Sequence, residues 1–131
     1  MRSNKPPKFK FTDCPAINFI SGALNPSKNS FVENYKPLID LALTNNECFL
    51  VGDARGIDTI AQNYLKGKTD KVIVFHMFKS PRNNAGFDTI GGFTSDEERD
   101  RAMTLYSTKD IAFIHRKGSG TEKNILRRKN G

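Results

Sequence analysis

Two glycine-rich segments, each following a short apolar run, hold the residues best suited to chemistry. The first reads Gly52-Asp53-Ala54-Arg55-Gly56-Ile57-Asp58, and the second reads Gly118-Ser119-Gly120-Thr121. At the start of a helix, the backbone N–H groups of such turns can surround an anion, and a nearby arginine adds positive charge. The two segments therefore predict phosphate binding.

The charged residues of the first segment favour binding over a purely structural turn. Turn geometry explains Gly56, and helix capping explains Asp58, which can also accept a hydrogen bond from a ribose hydroxyl. Neither explains a charged Arg55 in a tight turn. We therefore favour ligand binding at this segment.

The second segment by itself is weaker evidence for ligand binding. Ser119 and Glu122 lie three residues apart, as in a capping box, and this accounts for both of them. Its value comes from position, because two glycine-rich helix entries on one sheet would converge on one pocket. Ser21-Gly22, after another apolar run, is a third turn that fits either a close approach to a ligand or an ordinary turn.

Four short apolar runs must position these turns. Each is continuous and rich in Val, Ile or Phe, as expected of strands buried on both faces. The predicted strands are Ala16–Ile20, Cys48–Val51, Val72–Phe75 and Ile111–Ile114.

Stretches with helical spacing separate the strands. The helices are predicted to open at Ser30 with a capping box to Glu33, to span Ile57–Leu65, to run from Thr94 or Ser95 to about Tyr106, and to open at Ser119. Pro37 predicts a kink in the first helix, or its start there. The alternation predicts a single α/β domain, a Rossmann-like three-layer fold with an open parallel sheet of at least four strands.

A long irregular connection separates the third strand from the third helix. Residues Met77–Phe93 include Pro81 and several glycines, and a connection of this length in a compact domain is usually functional or disordered. We expect a loop that closes over the ligand.

The formal charge of +7 comes from the two ends of the chain. Residues 1–10 hold four basic and no acidic side chains, and residues 116–131 hold six basic ones and one acid. Residues 11–115 are left with 11 basic and 13 acidic groups. A groove for nucleic acid needs basic residues along its length, so only the termini are a candidate surface for it.

Length and cysteine content bound the remaining classes. A chain of 131 residues predicts one core, with a basic arm over residues 1–14 and a domain over residues 15–131. No apolar run suits a membrane span or a signal peptide, so we expect a cytoplasmic protein without membrane contact. Cys14 and Cys48 lie far apart, and we expect two buried, unpaired cysteines, with no metal and no cofactor.

The segment Val51–Ala61, which reads VGDARGIDTIA, resembles the SLOG superfamily. Ser21-Gly22, the stretch Arg99–Met103 and the closing Ser119-Gly120-Thr121 add to the similarity, which covers about residues 16–126. The superfamily joins the Rossmann domain of DNA processing protein A, the Lonely Guy phosphoribohydrolases and the YspA-like proteins. The resemblance implies a nucleotide-derived ligand and a homo-oligomer.

The Lonely Guy branch implies hydrolysis of the N-glycosidic bond of a nucleoside monophosphate. Arg99 precedes Met103 by four residues, as in those enzymes, and Thr121 falls on the motif threonine. Asn124 occupies the position of the catalytic Glu, and an amide cannot take a proton from water. Glu122 and Asp100 are the candidates left for an acid or a nucleophile.

The other two branches imply binding rather than established catalysis. DNA processing protein A is similar at Ala54–Asp58, although Gln62 stands where that branch usually has His, and it implies single-stranded nucleic-acid binding. The YspA-like branch fits best in length and in being a free-standing domain. It implies binding of a nucleotide or a nucleotide-derived ligand.

These observations predict a protein that binds a small nucleotide or an ADP-ribose-like ligand. Phosphate would lie against the amides of Gly52–Gly56 and Gly118–Thr121, with Arg55 and Arg99 as counter-charges. The alternatives are a nucleotide N-glycosidase and a single-stranded nucleic-acid binder. The candidate ligand-binding residues are Ser21, Gly22, Gly52, Asp53, Arg55, Gly56, Asp58, Arg99, Gly118, Ser119, Gly120 and Thr121.

Overall fold

The computed structural model describes residues 13–114 and 117–130. The expected basic arm therefore lies almost entirely outside the described residues, as do His115 and Arg116. The strands are β1 (Ile17–Ser21), β2 (Cys48–Gly52), β3 (Val72–Met77), β4 (Asp88–Phe93) and β5 (Lys109–Ala112). The helices are α1 (Ser30–Asn34), α2 (Lys36–Thr44), α3 (Ile57–Leu65), α4 (Asp96–Tyr106) and α5 (Gly120–Asn130).

The five strands form one parallel sheet in the order β4-β3-β2-β1-β5. Every residue of β1 and β2 is buried, which is why these strands are continuous apolar runs rather than alternating ones. The predicted α/β fold is confirmed. β5 begins at Lys109, two residues before its apolar run, because the backbone ladder to β1 starts at Asn18.

The helices cover both faces of the sheet. Residues of α1, α2 and α3 pack against one face, around Ile20, Val51 and Val74. Met103 of α4 packs against the other face with Phe19 and Leu50, and α5 packs against α4 and β5. The carboxyl ends of the strands therefore lie between helices on both sides.

Helix boundaries follow the local sequence signals in most places. Pro37 lies in the first turn of α2, so the predicted first helix is two helices, α1 and α2. Ser95 caps α4 by accepting a hydrogen bond from the Glu98 N–H, as its spacing predicts. The expected capping box at Ser30 is wrong, because Asn29 precedes the helix and no side chain caps it. Among the described residues, no helix is both long enough and apolar enough to span a bilayer.

The expected long loop over Met77–Phe93 is wrong over more than a third of its length. Met77 ends β3, and residues Asp88–Phe93 form β4, which pairs with β3 at the edge of the sheet. Gly91 and Gly92 lie within this strand, and because paired glycines are typical of loops, the sequence does not predict it. Gly91 is needed there because a β-carbon on it would lie 2.0 Å from the ring of the buried His76.

The two cysteines form a disulfide, so the expectation of unpaired cysteines is wrong. Cys14 and Cys48 are bonded, with their Cα atoms 5.8 Å apart. The pairing of β1 with β2 places Ile17 opposite Cys48 and brings the residues before β1 alongside. A separation of 34 residues gives no sign of this contact. Cytoplasmic localisation stays a prediction. The disulfide does not favour it, since disulfides persist mainly in oxidising compartments.

Candidate functional site

A cavity of about 610 Å³ lies at the carboxyl ends of β1 and β2. From β1 the chain adds β2, β3 and β4 on one side of the sheet and then returns to add β5 on the other side of β1. The order of the strands therefore reverses at β1. Open parallel sheets bind ligands at such a point. The turn after β1, the turn after β2, the starts of α4 and α5 and part of the β3–β4 loop all contribute to the lining.

Most of the candidate residues line this cavity, and a few do not. Those in the lining are Ser21, Gly22, Gly52, Arg55, Asp58, Arg99, Ser119, Gly120 and Thr121, together with Asp100. Asp53, Gly56, Gly118 and Glu122 are absent from the lining. The three turns therefore converge, as their positions after the strands predict, whereas four individual residues have other surroundings.

Arg99 is held by carboxylates instead of facing an empty anion site. Its guanidinium Nη1 lies 2.9 Å from Asp53 Oδ1 and 3.1 Å from Asp96 Oδ1. Nε and Nη2 donate to Asp100 Oδ1 at 3.1 and 2.9 Å. The predicted counter-charge is thus in the cavity wall, but it is already neutralised.

Arg82, which the sequence did not single out, completes this ionic cluster. Its backbone N–H and its guanidinium donate to the buried Asp53 carboxylate, and Nη2 also lies 2.8 Å from Asp96 Oδ1. Burial of Asp53 acts to raise its pKa, but Arg82 and Arg99 outweigh that effect and lower the pKa. Asp53 is therefore an ionised structural anchor beneath the cavity.

Asp58 lies in the cavity wall beneath the end of β2. Its Oδ2 accepts a hydrogen bond from the Ala54 N–H at 3.2 Å, so it fixes the turn that follows β2. Gly52 makes room for it, because a β-carbon there would lie 2.6 Å from Asp58 Oδ2. Burial raises the pKa of Asp58 to about 7, with Arg99 opposing the rise and Asp100 adding to it.

Gly56 has a structural role in the turn. Its φ of 78° and ψ of −130° suit glycine, and a β-carbon there would lie 2.3 Å from the Ala23 carbonyl oxygen. The next residue, Ile57, donates its N–H to that same oxygen. The turn after β2 is thereby locked to the turn after β1.

The entry to α5 is capped in both directions. Ser119 Oγ accepts from the Glu122 N–H at 3.2 Å, and the Glu122 carboxylate accepts from the Gly118 N–H at 2.8 Å. Glu122 is thus committed to the cap and is absent from the cavity lining. Asp100, the other candidate acid, lines the cavity, where Asn124 donates to its Oδ2 at 3.2 Å.

Ser21 is the unsatisfied polar group of the site. The residue is 7% exposed, lines the cavity, and has no hydrogen-bond partner for its Oγ among the described residues. Strand alternation puts its side chain on the same face as Phe19, which also lines the cavity. Unpaired buried hydroxyls are uncommon and call for a physical explanation.

Gln62 fastens the β3–β4 loop to the sheet. Its Nε2 donates to the Gly52 carbonyl at 2.9 Å and to the Asn83 carbonyl at 3.3 Å, and its Oε1 accepts from the Ala85 N–H at 2.9 Å. Asn83 in turn donates to the Asp53 carbonyl at 2.9 Å. The loop that was expected to close over the ligand is thus bonded to the cavity wall.

Residues 13–114 and 117–130 contain no group of three or more His, Cys, Asp or Glu side chains arranged to hold a metal ion. In the cavity wall, Asp100 accepts from Arg99 and Asn124, and Asp58 accepts from the Ala54 N–H.

Comparison with known proteins gives one informative similarity. No family model and no curated protein matches the chain. A solved structure of DNA processing protein A from Helicobacter pylori, studied for its single-stranded DNA binding mode, is similar with a TM-score of 0.70 and 18% sequence identity. The similarity covers 98% of this chain and 70% of that one. This similarity supports the Rossmann-like fold.

Proposed function

We propose that this chain is a SLOG-type protein that binds a small nucleotide or a nucleotide-derived ligand in the cavity at the carboxyl ends of β1 and β2. The observation that carries the proposal is the unpaired, buried hydroxyl of Ser21 in the cavity wall. Leaving a buried polar group unpaired costs free energy, and a ligand can supply the missing partner.

The entry to α5 supports a phosphate at one end of the cavity. Ser119, Gly120 and Thr121 line the cavity at the first residues of an 11-residue helix, where backbone N–H groups and the helix dipole favour an anion. Arg55 adds a positive charge to the lining, where its Nε lies 3.5 Å from Asn25 Oδ1.

Single-stranded DNA binding is the second candidate, and the structural neighbour favours it. The charge of the cavity favours it less. Three arginines line the cavity, but so do Asp58, Asp96 and Asp100. A strand of phosphates needs an excess of basic groups along its path, which this wall lacks.

Nucleotide hydrolysis has less support than binding. Asp100 is held by Arg99 and Asn124, and Glu122 is bonded to Gly118, so each candidate acid already has a structural partner. We therefore expect binding without release of base.

Isothermal titration calorimetry tests the proposal with nucleoside monophosphates, ADP-ribose and a single-stranded oligonucleotide, alongside chromatography for released base. We expect saturable binding of a small ligand. Ser21→Ala should weaken it at least about fivefold, the effect of one lost hydrogen bond. The matched control is Thr104→Val, which removes the other buried, unpaired hydroxyl, outside the cavity lining. Binding of the oligonucleotide alone, weakening steeply with salt, would support the second candidate instead.

A further inference from the structure

The arginines next to Asp53 are poorly placed to receive a phosphate. Arg99 already donates to Asp53 and Asp100 and lies within 3.1 Å of Asp96. Arg82 donates to Asp53 and Asp96. A phosphate at this end would have to break charge-assisted hydrogen bonds and would then face the released carboxylates.

This end of the cavity presents hydrogen-bond acceptors. Asp58 and Asp100 both line it, and a carboxylate offers about four acceptor positions. Asp100 uses some of them for Arg99 and Asn124, and Asp58 Oδ2 accepts from Ala54. The remaining acceptor capacity suits a ligand that brings hydroxyl or amino donors.

The α5 entry, which Asn124 links to Asp100, presents donors. The α5 entry offers the start of a helix and the hydroxyls of Ser119 and Thr121. Ser21, on the central strand, adds a buried hydroxyl without a partner, an independent sign that a ligand belongs here. The cavity wall therefore offers a ligand both donors and acceptors.

We infer that the cavity selects a ribonucleotide over its 2′-deoxy counterpart. In this arrangement the phosphate lies at the α5 entry, and the 2′- and 3′-hydroxyls of the ribose donate to the carboxyl groups of Asp58 and Asp100. The inference rests on the proposed function and specifies that the sugar of the ligand is ribose. It also separates this chain from proteins whose ligand is a DNA strand, because a 2′-deoxyribose lacks one of the two donors.

A pairwise titration tests the inference. The four ribonucleoside 5′-monophosphates are each compared with the matching 2′-deoxynucleotide by calorimetry on the full chain. We expect the ribonucleotide that binds to do so at least about tenfold more tightly, the effect of a hydrogen bond to a charged group. Equal affinities for the two sugars would overturn the inference and leave the proposed function standing. Failure of ADP-ribose and of both kinds of nucleotide to bind would remove the proposed function itself.

A pair of variants on α4 locates the effect. Asp100→Asn should reduce the ribose-to-deoxyribose affinity ratio at least about threefold, because an amide is a weaker acceptor than a carboxylate. Glu97→Gln is the control, since Glu97 is an exposed acid of the same helix and is absent from the lining. Circular dichroism checks that each variant is folded, and Asp58→Asn replaces Asp100→Asn if the latter is not. An unchanged ratio in the folded variant would contradict the assignment.

Discussion

The Arg99 guanidinium lies 2.9 Å from the Asp53 carboxylate, and both side chains are buried. Asp53 follows β2 and Arg99 belongs to α4, so the pair joins the turn beneath the cavity to a helix on one face of the sheet. Arg82 adds the β3–β4 loop to the same carboxylate. One anion thereby fixes three parts of the cavity wall.

Removing this anion should destabilise the fold strongly. Asp53→Asn removes the buried charge that Arg82 and Arg99 share and leaves Arg99 with Asp96 and Asp100. Breaking a buried ion pair from one side costs about 3 to 5 kcal/mol. Urea unfolding of the variant and the wild type measures the difference. Glu97→Gln is the control, because Glu97 pairs with Arg101 at the surface, where ion pairs contribute little to stability. Similar losses in the two variants would show that Asp53 is no such anchor.

The raised pKa of Asp58 makes stability depend on pH. Its folded-state pKa of about 7 lies above the ordinary value of 3.8, so the folded protein holds this proton more tightly than the unfolded chain. The stabilisation that Asp58 contributes is therefore complete below about pH 4 and is lost as the pH rises to about 7. Between pH 4.5 and 7.5, the free energy of unfolding of the wild type should fall by about 2 to 4 kcal/mol relative to that of Asp58→Asn. Parallel pH profiles of the two unfolding free energies would contradict this.

Gly56 should tolerate alanine much less well than Gly67 does. Both have a positive φ, at 78° and 83°, so alanine is strained at either position. At Gly56 the new β-carbon would also meet the Ala23 carbonyl oxygen at 2.3 Å, whereas nothing lies within 4 Å at Gly67. We expect Gly56→Ala to cost at least about 2 kcal/mol more in thermal or urea unfolding. Equal costs would mean that the two turns are not locked together.

Gln62 should control the stability of the β3–β4 loop. Gln62→Leu removes the acceptor of the Ala85 N–H and the donor to the Gly52 carbonyl, at a cost of about 1 to 3 kcal/mol. Hydrogen exchange at the Ala85 amide should become faster, while exchange in β1 changes little. Asn63→Ala, at the exposed neighbouring position, is the control. Unchanged exchange at Ala85 in the leucine variant would contradict this role.

The sequence predicts the strands and turns that form the site better than the side-chain contacts within it. Continuous apolar runs and glycine-rich turns follow local rules, so the convergence of Ser21, Gly52 and Thr121 can be predicted. The partners of Arg99 cannot, because Asp53 lies 46 residues away and only packing brings them together. The same holds for Arg82 and for the cysteine pair, whose contacts span 29 and 34 residues. Of the two arginines predicted as counter-charges for phosphate, Arg55 and Arg99, the second is paired with carboxylates.

A nuclear magnetic resonance titration tests the central claim most directly. The ¹⁵N-labelled protein is titrated with an equimolar mixture of the four ribonucleoside 5′-monophosphates. Ligand binding in the cavity predicts saturable shifts at the amides of Ser21, Gly52 and Thr121, three residues on separate elements that line it. Ser21→Ala should need a higher ligand concentration for the same shifts. Absence of shifts at these amides, or shifts confined to the basic end of α5, would contradict the claim.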